Sequence, residues 1–164
     1  ETAIMENHPS IEMFKHEDCP GHNKLSRLLR YRDNHLNRKY SVFVGNGGLY
    51  VPQELERGAD GIMTGFAFTE MLVNLHNLFS NHDKEKAEDL FDIYLPLIRH
   101  EQQFGMGLAL RKFVLQQRGI IKSLNVRSPG PVLTEDDIKE MNYLLKRLHS
   151  KLTEKGLTIP KGIN

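Results

Sequence analysis

Apolar and polar positions along the chain follow two regimes, with the change near residue 82. Before it, three short apolar runs, IEMFKHE (11–17), YSVFVG (40–45) and GIMTGF (61–66), are each bounded by Gly, Pro, Asn or Asp. That punctuation is the one expected of β-strands. Between the first two runs, HNKLSRLLRYRDN carries Leu25, Leu28 and Leu29 at helical spacing. Between the second and third, LYVPQELERG is short and amphipathic, with Gly58 placed to end a helix. The third run leads into TEMLVNLHNLFSN, where Thr69 can cap and Met71, Leu72, Leu75 and Leu78 line one face. Strand and helix alternating at this rhythm predict parallel strands in an α/β fold.

After residue 82 the strand signals stop. DKEKAEDLFDIYLPLIRHEQQF reads as a helix, with Asp83 as its cap and Pro96 as a kink. MGLALRKFVLQQRG reads as a second helix ending at Gly119, and NVRSPGPVL as an irregular connector. TEDDIKEMNYLLKRLHSKL is a third, whose Thr134 and Asp137 can form a shortened capping box. The tail GLTIPKGIN is expected to fray. The expected organisation is an α/β portion over 1–82 and a helical region over 83–164. Three parallel strands alone make a poor sheet, because parallel strands need cover on both faces and paired edges.

Composition narrows the class. Twenty-two Lys and Arg against 21 Asp and Glu leave a formal charge of +1, which gives no electrostatic case for nucleic acid or a membrane surface as partner. One cysteine, Cys19, excludes an internal disulfide framework and fits a reducing compartment. No apolar run approaches the roughly 18 residues that span a bilayer, and a signal-peptide pattern is lacking. A soluble, cytoplasmic protein is expected. The opening ETAIMENHPS resembles the end of a helix running into a loop, and Pro9 favours an extended backbone at His8. The sequence is therefore expected to begin mid-protein.

Four places carry candidate chemistry. In the first run, alternation puts Ile11, Met13, Lys15 and Glu17 on one face, and Glu12, Phe14 and His16 on the other. A solvated lysine at the strand end is the commoner arrangement, because buried lysines are rare. The alternative is a Schiff-base lysine: a partly desolvated amine loses its proton more easily and can attack a ketone carbonyl. The resulting iminium draws electrons from the adjacent carbon. HEDC at 16–19 with His22 hints at metal ligands, but a strand sends His16 and Glu17 to opposite faces, and no recognised ligand spacing is present. No metal or cofactor is expected. Cys19 lacks an identifiable base to make it a nucleophile. GNGG at 45–48 follows a strand and precedes a helix, where backbone amides can receive an anion. A dinucleotide fingerprint would need glycine where Tyr50 stands. A glycine turn beside a small carboxylate ligand and a purely structural turn both remain open.

Read in order, these pieces resemble the C-terminal half of the dihydrodipicolinate synthase and N-acetylneuraminate lyase family. HPSIEMFKHE matches its sixth strand, YSVFVGNGG its seventh and ERGADGIMTGFAF its eighth, while GLALRKFVLQQRGI and VRSPGPVLTEDD look like its C-terminal helical region. The resemblance implies a (β/α)8 TIM barrel, of which this chain holds about the last three strands, followed by a C-terminal helical bundle. Active sites of such barrels lie at the C-terminal ends of the strands. Lys15 falls on the family's Schiff-base lysine, implying a class I lyase, aldolase or hydro-lyase acting on pyruvate or a related 2-oxo acid. Gly45, Asn46 and Gly47 would line the site after the seventh strand, and Met63 and Thr64 after the eighth.

The departures from the family pattern also matter. The family's carboxylate-binding motif and proton-relay tyrosine belong to earlier strands, outside this sequence. The Asp-Glu pair that holds sugar hydroxyls in neuraminate lyases falls on Gly48 and Leu49, which argues against a sialic acid substrate. The resemblance further implies a homo-oligomer and a missing N-terminal half, supplied by the same polypeptide or a complementary chain. The rival expectation is a catalytically silent barrel fragment acting as a binding or regulatory module, with Lys15 exposed or held in an ion pair.

Overall fold

A computed structural model describes residues 2–36 and 40–163. Two compact units emerge, Glu1–Gly65 with Leu72–Ala87, and Phe66–Met71 with Glu88–Asn164. The division falls close to residue 82 but not at it. Lys84 pairs with Glu56 at 3.0 Å, which keeps the start of the following helix with the first unit. Phe66 and Phe68 instead pack against Tyr94, with ring centroids 6.3 and 5.5 Å away, and so join the second.

The first unit is an α/β assembly. Strands β1 (Met13–His16), β2 (Ser41–Val44) and β3 (Gly61–Ile62) form a parallel sheet in that spatial order. Helix α1 (Thr2–Asn7) precedes β1, α2 (His22–His35) links β1 to β2, and α3 (Val51–Glu56) links β2 to β3. The register aligns Lys15 with Phe43, and Phe43 with Gly61. In a parallel sheet such partners share a face. Val42 and Val44 point the other way, are fully buried, and pack with Met5, Leu25, Leu28 and Leu29 of α1 and α2. One face of the sheet is thus covered by helices. On the other, Met13 is 40% exposed and Lys15 reaches solvent. Among the described residues β1 and β3 are the sheet's outer strands.

The third run forms a shorter strand than its apolar length predicts. Met63 N–H still donates to Val44 C=O at 2.8 Å, but β2 ends there and the chain turns away at Gly45, leaving residues 64–66 no ladder to continue. At the other end, Asp60 joins α2 to the sheet. Its carboxylate accepts from the Val42 N–H at 2.7 Å and from the buried Arg32 guanidinium at 2.5 Å. Asp60→Ala leaves the Val42 amide without its acceptor and removes one partner of the buried Arg32 cation, which keeps Asp33 and Tyr40 C=O, and it should destabilise the first unit by about 2 kcal/mol in urea titration. A change below about 0.5 kcal/mol would mean that the pair contributes nothing net.

Helix α4 (Thr69–Ser80) buries Met71, Leu72 and Leu75 as its periodicity predicts, although it begins at Thr69, so the capping position falls on Phe68. Helix α5 (Lys84–Glu101) places Asp83 at the cap and runs through Pro96 as one element. The second unit continues with α6 (Gly107–Gln117) and α7 (Glu135–Glu154). The shortened capping box is present: Asp137 N–H donates to Thr134 Oγ1 at 3.2 Å, and Thr134 N–H to Asp137 Oδ2 at 2.7 Å. The Thr134 hydroxyl, which donates to Asp137 Oδ2 at 2.7 Å, and then the Thr134 N–H hold the Asp137 carboxyl below its usual range. Thr134→Ala should lower stability by about 1 kcal/mol in a thermal melt, and no loss would contradict the cap.

The tail does not fray as expected. Ile163 is 3% exposed, Pro160 is buried, and Lys161 C=O accepts from Arg118 Nε at 3.3 Å. Arg118 anchors that contact because it is fixed elsewhere. It donates to Ala67 C=O at 2.5 Å, pairs with Glu70 and lies 4.7 Å over the Phe68 ring. Asn164 lies outside the described residues. Among them, no helix is long and apolar enough to cross a membrane.

Candidate active site

The site is built on the open face of the sheet at the C-terminal ends of the strands. Strand alternation sends Phe14 and His16 toward the helices, where His16 is 1% exposed and its Nε2 lies 3.1 Å from Gly21 C=O. The same alternation sends Lys15 to the open face. Beside it Phe43 lies across β2. A Cβ on Gly61 would come within 2.8 Å of the Phe43 ring, so glycine on β3 makes room for that ring.

Lys15 Nζ stands 3.2 Å from Glu17 Oε1, with side-chain exposures of 38% and 46%. Glu17 Oε1 also accepts from the Asn46 N–H at 3.2 Å. A Cβ on Gly45 would run into the Glu17 carboxylate. The turn after β2 follows, with Asn46, Gly47 and Gly48 at φ of 45°, 62° and 88°. Three successive left-handed residues explain the two glycines, since side chains there are strained. Gly48 N–H donates to Gly45 C=O at 2.8 Å and Leu49 N–H to Asn46 C=O at 3.2 Å. With Asn46 N–H on Glu17, three amides of the turn are engaged. This weakens the anion-cradle reading and favours the structural one.

At the end of β3, Met63 is 37% exposed and Thr64 half-buried. The Thr64 methyl lies 3.6 Å from where a Gly48 Cβ would be, and its hydroxyl has no hydrogen-bond partner among the described residues. Lys15, Gly45 and Asn46 are therefore joined through Glu17, and Thr64 meets the same turn at Gly48. Met63 stands at the rim. His16 and Glu17 diverge as alternation requires, Cys19 is exposed, and no group of three metal-ligating side chains occurs among the described residues.

Two acids take a place here that the sequence does not announce. Glu17 shares Lys15's face by simple alternation, but as part of HEDC it reads only as a metal-ligand candidate. Glu54 on α3 reads as a solvated residue of an amphipathic helix, yet it is 1% exposed. Burial, with the Glu17 charge second, raises its carboxyl to about 7. Glu54 lines a cavity of about 450 Å³ together with Asp18, His22, Asn46 and Tyr50.

A dihydrodipicolinate synthase from Rhodopseudomonas palustris matches 88% of this chain with a TM-score of 0.84 and 44% identity. The chain resembles the dihydrodipicolinate synthase family over that stretch. A curated L-2-keto-3-deoxyarabonate dehydratase from Azospirillum brasilense is 27% identical over 138 residues, 84% of this chain. The fold is also shared with the 4-hydroxy-tetrahydrodipicolinate synthase of Methylacidiphilum fumariolicum SolV, at a TM-score of 0.77 and 20% identity over 93% of this chain. No protein-family model matches. The chain spans 43% of the dehydratase and 48% and 49% of the two synthases, about half of each.

Proposed function

We propose that this chain is the C-terminal part of a Schiff-base-forming lyase or hydro-lyase of the dihydrodipicolinate synthase family, acting on pyruvate or a related 2-oxo acid. The observation that carries the reading is the place of Lys15. It stands on the open face, at the C-terminal end of β1, beside the turn after β2. In this reading β1, β2 and β3 are strands six to eight of a (β/α)8 barrel, and the outer edges of β1 and β3 pair with strands five and one. The open face then becomes barrel interior, α5 to α7 form the C-terminal helical region, and the protein works in the cytoplasm.

Lys15 Nζ, as the free amine, attacks the ketone carbonyl to give a carbinolamine. Loss of water leaves a protonated imine, and the cation accepts the electron pair released when a bond at the neighbouring carbon breaks. Gly45, Asn46, Gly47, Met63 and Thr64 line the substrate site, with Thr64 Oγ1 available to a substrate oxygen. The substrate-carboxylate motif and the proton relay come from the N-terminal half of the barrel. The dehydratase relative, named for a 2-keto acid, supports this substrate class.

The polypeptide or complex carrying the rest of the barrel, treated with pyruvate and borohydride, should gain an irreversible adduct on Lys15, read by peptide mass. Wild-type protein left unlabelled would remove the mechanism. A second reading, a catalytically silent binding or regulatory module, is favoured by one observation: Lys15 is exposed and held by Glu17. An incomplete barrel exposes Lys15 in the same way, so labelling separates the two. Homo-oligomeric assembly is part of the proposal, and light scattering on the intact protein showing a monomer would refute it.

A further inference from the structure

Resting on the reading of Lys15 as the nucleophile, we infer that Glu17 is its positioning residue, seated on Gly45 and tied to the turn after β2. A lysine side chain has four rotatable bonds and carries about 2 kcal/mol of rotamer entropy, so an unrestrained amine is seldom aimed at a carbonyl. Glu17, two residues along the same strand face, supplies the restraint with an oxygen 3.2 Å from Lys15 Nζ.

A chance surface pair would be worth at most about 1 kcal/mol and would need nothing else around it. Here the carboxylate is held from two further sides. The Asn46 N–H donates to the same Oε1 at 3.2 Å, and the carboxylate occupies the space that a Cβ on Gly45 would take. The acid is thus fixed by backbone from the neighbouring strand, and it passes that fixity to the amine. Gly45 has a stated purpose in this arrangement: it is the seat for Glu17. The buried Glu54 feels the Glu17 charge, consistent with a carboxylate directed toward the turn and α3 rather than outward.

The test is a double-mutant cycle on borohydride trapping of pyruvate at Lys15, in the polypeptide or complex that carries the whole barrel. Glu17→Ala should slow trapping at saturating pyruvate by roughly 10- to 100-fold, with little change in the pyruvate concentration giving half the maximal rate. Gly45→Ala should slow it comparably in the wild-type background, because its Cβ evicts Glu17. In the Glu17→Ala background the same change should cost clearly less than it does in wild type, since nothing is left to evict and only the effect of the Cβ on the substrate site remains. A Gly45→Ala cost that persists undiminished without Glu17 would place Gly45's role elsewhere and overturn the inference. Trapping as fast in Glu17→Ala as in wild type would overturn it while leaving the Schiff-base reading intact. A wild-type protein that is never labelled would overturn both. Melting temperatures of the variants separate a folding loss from a positioning loss.

Discussion

Lys15→Arg will leave the fold intact and abolish both the borohydride-trapped adduct and turnover, the latter by roughly three orders of magnitude or more. The substitution keeps a cation that can reach Glu17, so the ion pair survives while the nucleophile does not. A guanidinium stays protonated in proteins and cannot form an imine. Arginine carries the same charge on a side chain of similar length at the C-terminal end of the strand, beside Glu17, so the fold should be little changed. Loss of activity with an unchanged melting curve therefore reports chemistry alone. Should Lys15→Arg retain turnover within about tenfold of wild type, Lys15 is not the nucleophile. The module reading would then account better for its pairing with Glu17.

Much of this architecture is legible in the sequence because it is set by short-range rules. Leu25, Leu28 and Leu29 recur at helical spacing, and all three are buried. Alternation in the first run puts Lys15 and Glu17 on the face opposite His16, and that is where they lie. Thr134 and Asp137 announce a cap by their separation alone. What was not legible depends on partners distant in the chain. The tail reads as a polar, glycine-bearing end, and it is ordered only because Arg118 is already fixed by Ala67 and Glu70 and presents itself to Lys161. Residues 64–66 look like strand but lack a ladder, because β2 stops at Val44. Glu17 could be placed on its face, but its engagement with Asn46 and Gly45 needs β2 to be in register beside β1. The site residues after β2 and β3 were found by resemblance. Their mutual placement follows from a turn whose left-handed backbone the glycines permit.

Two buried acids lead to the last expectation, that the protein loses stability as pH rises from about 5 to about 8. Glu54 in the first unit and Glu101 in the second are each 1% exposed. Burial raises both carboxyls to about 7 from 4.5, opposed at Glu101 by Arg111, whose Nε lies 3.2 Å from Oε2. The native state then holds protons that the unfolded chain has already released, so folding is favoured by acid across this window. The contribution is complete below about pH 4.5 and is lost as pH climbs through about 7. A rise of that size amounts to about 3 kcal/mol for each group as an upper figure. Carboxyls held low by partners, such as Asp18 beside Lys24 and Asp137 at its cap, act in the opposite sense. Their effect falls at the acid end, below the window in question. Urea titrations at about pH 5 and about pH 8 should show the loss. Glu54→Gln should flatten the dependence of the first unit and Glu101→Gln that of the second, because an amide is neutral at either pH. If both variants keep the wild-type slope, neither carboxyl is protonated in the native state. The Glu54 carboxyl would then be charged at neutral pH beside Glu17, and the ion pair that holds Lys15 would have to withstand that second negative charge.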